Sequence, residues 1–245
     1  MLEAALTTYH AIAKWLNENQ GVVGVAIFVA TLIFGWLSGI FSALRRRPEF
    51  KIRLIPGPTF CCTYPTGATH NGLPVHRTGI APYLTVANVG SAPSSIESVA
   101  VGYHCHIRPF SLQWLRFRIG WLWLNDQIAA IHDFQAKIGE NVKIYPFLTQ
   151  RSVLSGESAS TFLQPGQSVN GVVYFEQSDS WGGYYPAPGR AGVQIKVALR
   201  DVFGRRHSSK FTIDAVTMEQ AREFNPSFGK TIAEIRKETL PHDAR

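Results

Sequence analysis

Cysteine is scarce in this chain and irregularly placed. Cys61, Cys62 and Cys105 form an odd set, so the even disulfide framework of a small secreted domain is not expected. Neighbouring residues of a strand point to opposite faces, which makes Cys61 and Cys62 a poor chelating pair and ordinary packed residues instead. No Asn-x-Ser/Thr acceptor occurs, because Asn225 is followed by Pro226. Internal repeats are lacking, as is any low-complexity linker long enough to separate two domains. Catalytic signatures are missing too. The stretches Gly156 to Ser160 and Gly166 to Asn170 lack the closing glycine of a nucleophile elbow. Phe224 stands where a phosphate loop ending in Gly229-Lys230-Thr231 needs its first glycine. These absences argue against an enzyme and give no reason to expect a cofactor.

What the chain does have is a run from Gly21 to Leu44 without one charge, followed by Arg45, Arg46 and Arg47. As a helix such a run is about 36 Å long, enough to cross a hydrocarbon layer of roughly 30 Å with some tilt. A cleaved signal has a basic start, a shorter apolar core and a small-residue cleavage site, a profile this segment does not share. Its leading flank carries Glu3, Lys14 and Glu18, whereas the trailing flank carries Arg45 to Arg47, Lys51 and Arg53. The basic flank stays in the cytoplasm, so the expected placement is a bacterial inner membrane, single-pass, amino terminus out and C-terminal domain in. Within residues 1–20, Leu6, Tyr9, Ile12, Ala13 and Leu16 recur at helical spacing and predict a short amphipathic segment before the span at 21–44. Ala26, Ala30, Gly35, Gly39 and Ala43 form a stripe of small residues that could let two such helices approach closely; Gly and Ala are also simply common in membrane helices.

Net charge is +7, and residues beyond Leu44 carry +8 of it, so the basic linker 45–49 and the domain after it are drawn to anionic lipid headgroups. Lys and Arg are otherwise scattered and no nucleic-acid motif appears, so nucleic acid is not an expected partner. After Pro48 the pattern changes to two-residue alternation. Phe50, Ile52 and Leu54 alternate with Lys51 and Arg53, and Pro56-Gly57-Pro58 closes that strand. Thr59 to Tyr64 reads as a short strand and Pro65 to Gly79 as an exposed loop. Tyr83 to Asn88, Ile96 to His106, Thr161 to Leu163, Val169 to Phe175, Val193 to Arg200 and Lys210 to Ile213 follow as strands, with a hairpin turn at Asp201 to Arg205.

The segments LTVANVGSAPSSIESVAV, FLQPGQSVNGVVYF and VALRDVFGRRHSSKF resemble bacterial immunoglobulin-like or fibronectin-type-III-like modules over residues 50–214. The Cys, Trp, Cys set of antibody domains is absent. The resemblance implies an antiparallel β-sandwich, a mainly β fold, and a binding module more than an enzyme. Two parts depart from that pattern. The insertion 107–142 holds the aromatic stretch Phe110 to Leu124 and continues with helical spacing at Ile128, Ile131 and Phe134; the tail 215–245 reads as short helices broken at Asn225-Pro226.

Trp114, Trp121 and Trp123 interleave with Arg108, Arg116 and Arg118, a mixture suited to a headgroup layer or a protein partner. An insertion that caps an open end of the sandwich would use the same residues. His104 and His106 would share a strand face, but His70, His76 and His132 supply no recognised metal-ligand spacing, so no metal is expected. The functional expectation is a membrane-tethered protein-interaction or scaffold module that binds a partner protein or itself. The alternative is a ligand-sensing membrane effector that oligomerises through its helix and perturbs the bilayer.

Overall fold

The computed structural model describes residues 2–40, 46–105, 110–116, 120–128, 130, 132–150, 160–230 and 232–239. The chain divides into two units, Met1–Arg47 and Pro48–Arg245. In the first, α1 (Leu2–Glu18) and α2 (Gln20–Leu37) meet at Asn19. Helical hydrogen bonding passes through this residue: Asn19 N–H donates to Trp15 O and Val23 N–H to Asn19 O, both at 3.0 Å. The leading segment therefore continues into the apolar helix. That helix has 18 residues and a mean hydropathy of 2.0, long and apolar enough to cross a membrane. A helix of this kind near an amino terminus serves as an anchor or as a signal sequence.

α2 stops short of the expected Leu44. Gly39 has φ 75°, the left-handed conformation that glycine accepts without a Cβ clash and that ends many helices. Gly39 thus lies in the turn after α2, and Ile40 is again helical; Ala43 and Arg45 lie outside the described residues.

The second unit is mainly β. Alternation drives β1 (Phe50–Leu54), where Phe50 and Ile52 are buried and Lys51 and Arg53 are exposed. β1 pairs with β4 (Tyr83–Asn88), and β4 pairs on its other side with β10 (Ser168–Val172), both antiparallel. A larger curved sheet runs in the order β11 (Phe175–Ser180), β3 (Leu73–Ala81), β2 (Phe60–His70), β14 (Arg206–Ala215), β13 (Gly192–Asp201), β5 (Ser94–Tyr103), β6 (Leu122–Leu124). β9 (Phe162–Leu163) pairs with β5, and β12 (Pro188–Gly189) with β13. The result is barrel-like. It departs from the expected all-antiparallel sandwich at β2 and β14, which run parallel through Phe60 and Cys61.

Two apolar clusters hold the unit together. Phe50, Ile52, Leu84 and Val86 pack with Ile80, Val99, Val101, Ile195, Val197, Leu199 and Ile213 in the interior. On the other side of β2, Phe60 and Cys62 pack with Phe134, Phe147, Tyr174, Ala221 and Phe228. Cys61 belongs to the first cluster and Cys62 to the second, as strand alternation requires.

The expected loop over Pro65 to Gly79 is part of the β2–β3 hairpin, turned at Asn71 (φ 50°) and Gly72 (φ 78°), the two-residue turn that matches strand twist. The helical insertion is corrected as well. Among its described residues only α3 (Leu112–Arg116) is helical; β6 follows, and Phe134 opens the antiparallel hairpin of β7 (Phe134–Ile138) and β8 (Asn141–Tyr145). Its inward Phe134 and Ala136 satisfy a period of two where the spacing of Ile128, Ile131 and Phe134 suggested a helix. The tail forms α4 (Met218–Phe224), started by a capping box of Thr217 and Gln220, and α5 (Ile232–Thr239).

Candidate functional site

Alternation along β13 sends Val193, Ile195, Val197 and Leu199 inward and leaves Lys196 and Arg200 on the outer face. The turn at 201–205 fixes the register, so Lys196 stands opposite Lys210 and Arg200 opposite Arg206. Directly opposed like charges destabilise an antiparallel pair. This face keeps two such pairs on the same two strands. Glu97 answers one member, its Oε2 lying 3.3 Å from Arg200 Nε.

The row continues across the sheet. Lys196 is in register with Gly102 of β5, and Gly102 with Trp123 of β6. A Cβ at Gly102 would sit 3.1 Å from the indole carbons of Trp123, so the missing side chain is what lets that ring lie over the sheet. The Arg206 guanidinium carbon is 4.2 Å from the centre of the Trp123 ring, a stacking distance that holds its donors in a fixed plane. Lys196 Nζ lies 5.9 Å from the same ring and Lys210 Nζ 5.8 Å from that of Trp121. The His104 ring is 3.9 Å from that of Trp121, and its Nδ1 is 2.7 Å from Gly120 O. A cleft of about 400 Å³ opens beside this row between Ser98, Asn125, Arg200 and Arg206. Chemically the face offers planar and point-like donors beside flat rings, an arrangement suited to carboxylates or phosphates on an extended surface.

Replacing Gly102 with valine is expected to lift Trp123 off the sheet and separate it from Arg206. The near-ultraviolet circular dichroism of tryptophan should change while the far-ultraviolet β signal persists; an unchanged tryptophan signal would mean the ring is not held there.

Of the residues expected from sequence, Trp121 and Trp123 are on this face and half-buried. Trp114 is on α3, where its indole nitrogen approaches Gly120 closely; Arg116 ends the same helix and is exposed. Arg118 lies outside the described residues, as does His106. Arg46 and Arg47 are exposed in the first unit. Ala26 and Ala30 line a shallow apolar trough on α2 with Val22, Val29 and Ile33, and Gly35 lies within its last turn. Lys196, Arg200, Arg206 and Lys210 were not anticipated. The period of two in β13, folded back about the turn at 201–205, carries their pairing.

The three thiols, Cys61 and Cys62 buried and Cys105 half-buried, are poor nucleophiles. Burial pushes Cys61 and Cys105 to about 12 and Cys62 to about 11, the last also raised by Glu219. Among the described residues, no group of three or more His, Cys, Asp or Glu is placed to hold a metal ion.

Compared with known proteins, the chain matches no protein-family model and no curated protein. Among solved structures, a chain of the archaeal flagellum of Methanospirillum hungatei strain JF1 is 13% identical over 88% of this chain and 94% of its own. Its TM-score of 0.29 is too low to support an argument.

Proposed function

We propose that the chain is a membrane-anchored interaction module whose barrel-like domain receives an acidic segment of a partner protein on the outer face of β5, β6, β13 and β14. The observation that carries this reading is the pair of like-charge couples, Lys196 with Lys210 and Arg200 with Arg206, set beside the Trp121 and Trp123 rings. A sheet under selection for stability alone would alternate the signs. The anchor is α2, and the basic flank Arg45 to Arg47 favours an orientation with the domain in the cytoplasm.

Substituting Lys196→Glu separates function from folding. It places opposite charges across β13 and β14, so the domain should gain about 0.5 kcal/mol in stability. Co-purification of a stoichiometric acidic partner from gently solubilised host membranes should be lost. If stability falls and the co-purified protein is unchanged, the cations serve the fold and the interaction reading is wrong.

A further inference from the structure

Among the described residues the two most exposed large apolar side chains share one turn, Phe110 at 85% and Leu112 at 87%, with Leu115 at 58% beside them; Phe203 at 67% and Ile144 at 61% stand elsewhere. Neighbouring apolar side chains this open to solvent mark an interaction site more than a packed one. Phe110 also holds φ 61°, a left-handed conformation uncommon for a bulky residue, with its ring 5.1 Å from that of Trp114. The turn is therefore shaped around its projecting rings.

Trp114 belongs to the same turn, and Gly120 N–H donates to Trp114 O at 3.2 Å. Arg116, exposed, ends α3 one residue after Leu115. From Tyr103 to Asn125 the sequence contains no acidic residue. Exposed apolar side chains, an aromatic ring and a cation with no acid nearby in sequence are the components that suit the boundary of an anionic membrane.

We propose that the turn 110–116 is a lipid-inserting tip, with Phe110, Leu112 and Leu115 entering the acyl boundary of an anionic membrane and Arg116 meeting its headgroups. The inference rests on the membrane-anchored reading for its setting, but the tip is distinct from the sheet face that takes the partner. A stretch with no acidic residue on a chain of net charge +7 favours an anionic lipid surface over a second copy of the same basic chain. Charge complementarity selects an anionic leaflet.

The test uses the full chain in nanodiscs of phosphatidylcholine with phosphatidylglycerol. Leu112→Cys carries an environment-sensitive NBD label, and Val142→Cys on the β7–β8 hairpin, 52% exposed, carries the same label as a control. Cys105, the half-buried native thiol, is replaced by alanine in both variants so that the introduced cysteine carries the label; Cys61 and Cys62 are buried. The label at 112 should shift to the blue and be quenched by spin-labelled lipid, with loss of both effects in pure phosphatidylcholine or when Phe110→Ser and Leu115→Ser are added. Equal emission at 112 and 142 overturns the proposal, and so does a blue shift that spin-labelled lipid does not quench, which would indicate burial against protein. If α2 does not insert and the chain stays out of the nanodiscs, the anchor reading fails. The tip is then tested by adding vesicles of the same composition: a shift at 112 upholds it and no shift overturns it.

Discussion

Replacing Phe60 with alanine is expected to destabilise the β unit by about 4 kcal/mol, the cost of deleting a fully buried ring whose cavity cannot collapse. Phe60 is wholly buried at the start of β2, with ring centres at 6.1 Å from Phe134, 5.9 Å from Phe224 and 5.6 Å from Phe228. Those partners come from β7, from α4 and from the turn after α4. One ring thus joins the hairpin and the C-terminal helix to the sheet. Urea unfolding followed by tryptophan emission measures the change. A loss below about 1 kcal/mol would mean that the layer covering β2 is not packed as described.

Asp201→Ala should cost nearly as much, about 3 kcal/mol at neutral pH, because several charge-assisted hydrogen bonds vanish together. The Asp201 carboxylate is fully buried and accepts from Phe203 N–H at 3.0 Å and Arg205 N–H at 2.9 Å. Its other oxygen lies 3.1 Å from His207 Nε2. His207 Nδ1 accepts from Phe50 N–H at 3.3 Å, so Nε2 carries the proton that is donated to Asp201. Burial favours the neutral acid, but the bonds from His207, Arg205 and Phe203 outweigh it and hold this carboxyl below its ordinary 3.8. A lowered carboxylate pKa contributes stability that is complete above the ordinary value and is lost as pH falls through the folded one. Wild type should therefore lose stability below pH 3.8 more steeply than the alanine variant. Parallel pH profiles would remove Asp201 from the account.

The strands that sequence reading found are those with one wet and one dry face. Tyr83 to Asn88 and Phe50 to Leu54 show it plainly, because alternation is recorded wherever a strand is half-exposed. The β2–β3 hairpin escaped because Pro65, Gly67 and Pro74 sit inside it and its outer half is exposed, so no apolar period marks it. Asn71-Gly72 was the available signal. The aromatic stretch after Phe110 misled in another way. Trp123 lies on an edge strand and Trp121 just before it, yet they fall among Leu122 and Leu124, so the run reads as apolar on every side. What sequence reading could not reach was which rings meet which cations. The Trp123 to Arg206 stack joins residues far apart in the chain, and it depends on Gly102 being bare at the crossing.

The place where the β unit takes up the incoming chain also has mechanical meaning. Arg205 Nη1 donates to Pro48 O at 3.0 Å, Phe50 N–H reaches His207, and Val89 N–H donates to Glu49 O at 2.8 Å. Beyond them β1 is zipped to β4 alone in its sheet. A pull transmitted from the N-terminal segment would load these few bonds first and then peel β1, leaving the larger curved sheet to bear force later. Because Asp201 organises the turn that supplies two of the three fastenings, acid would slacken the attachment point before it melts the interior.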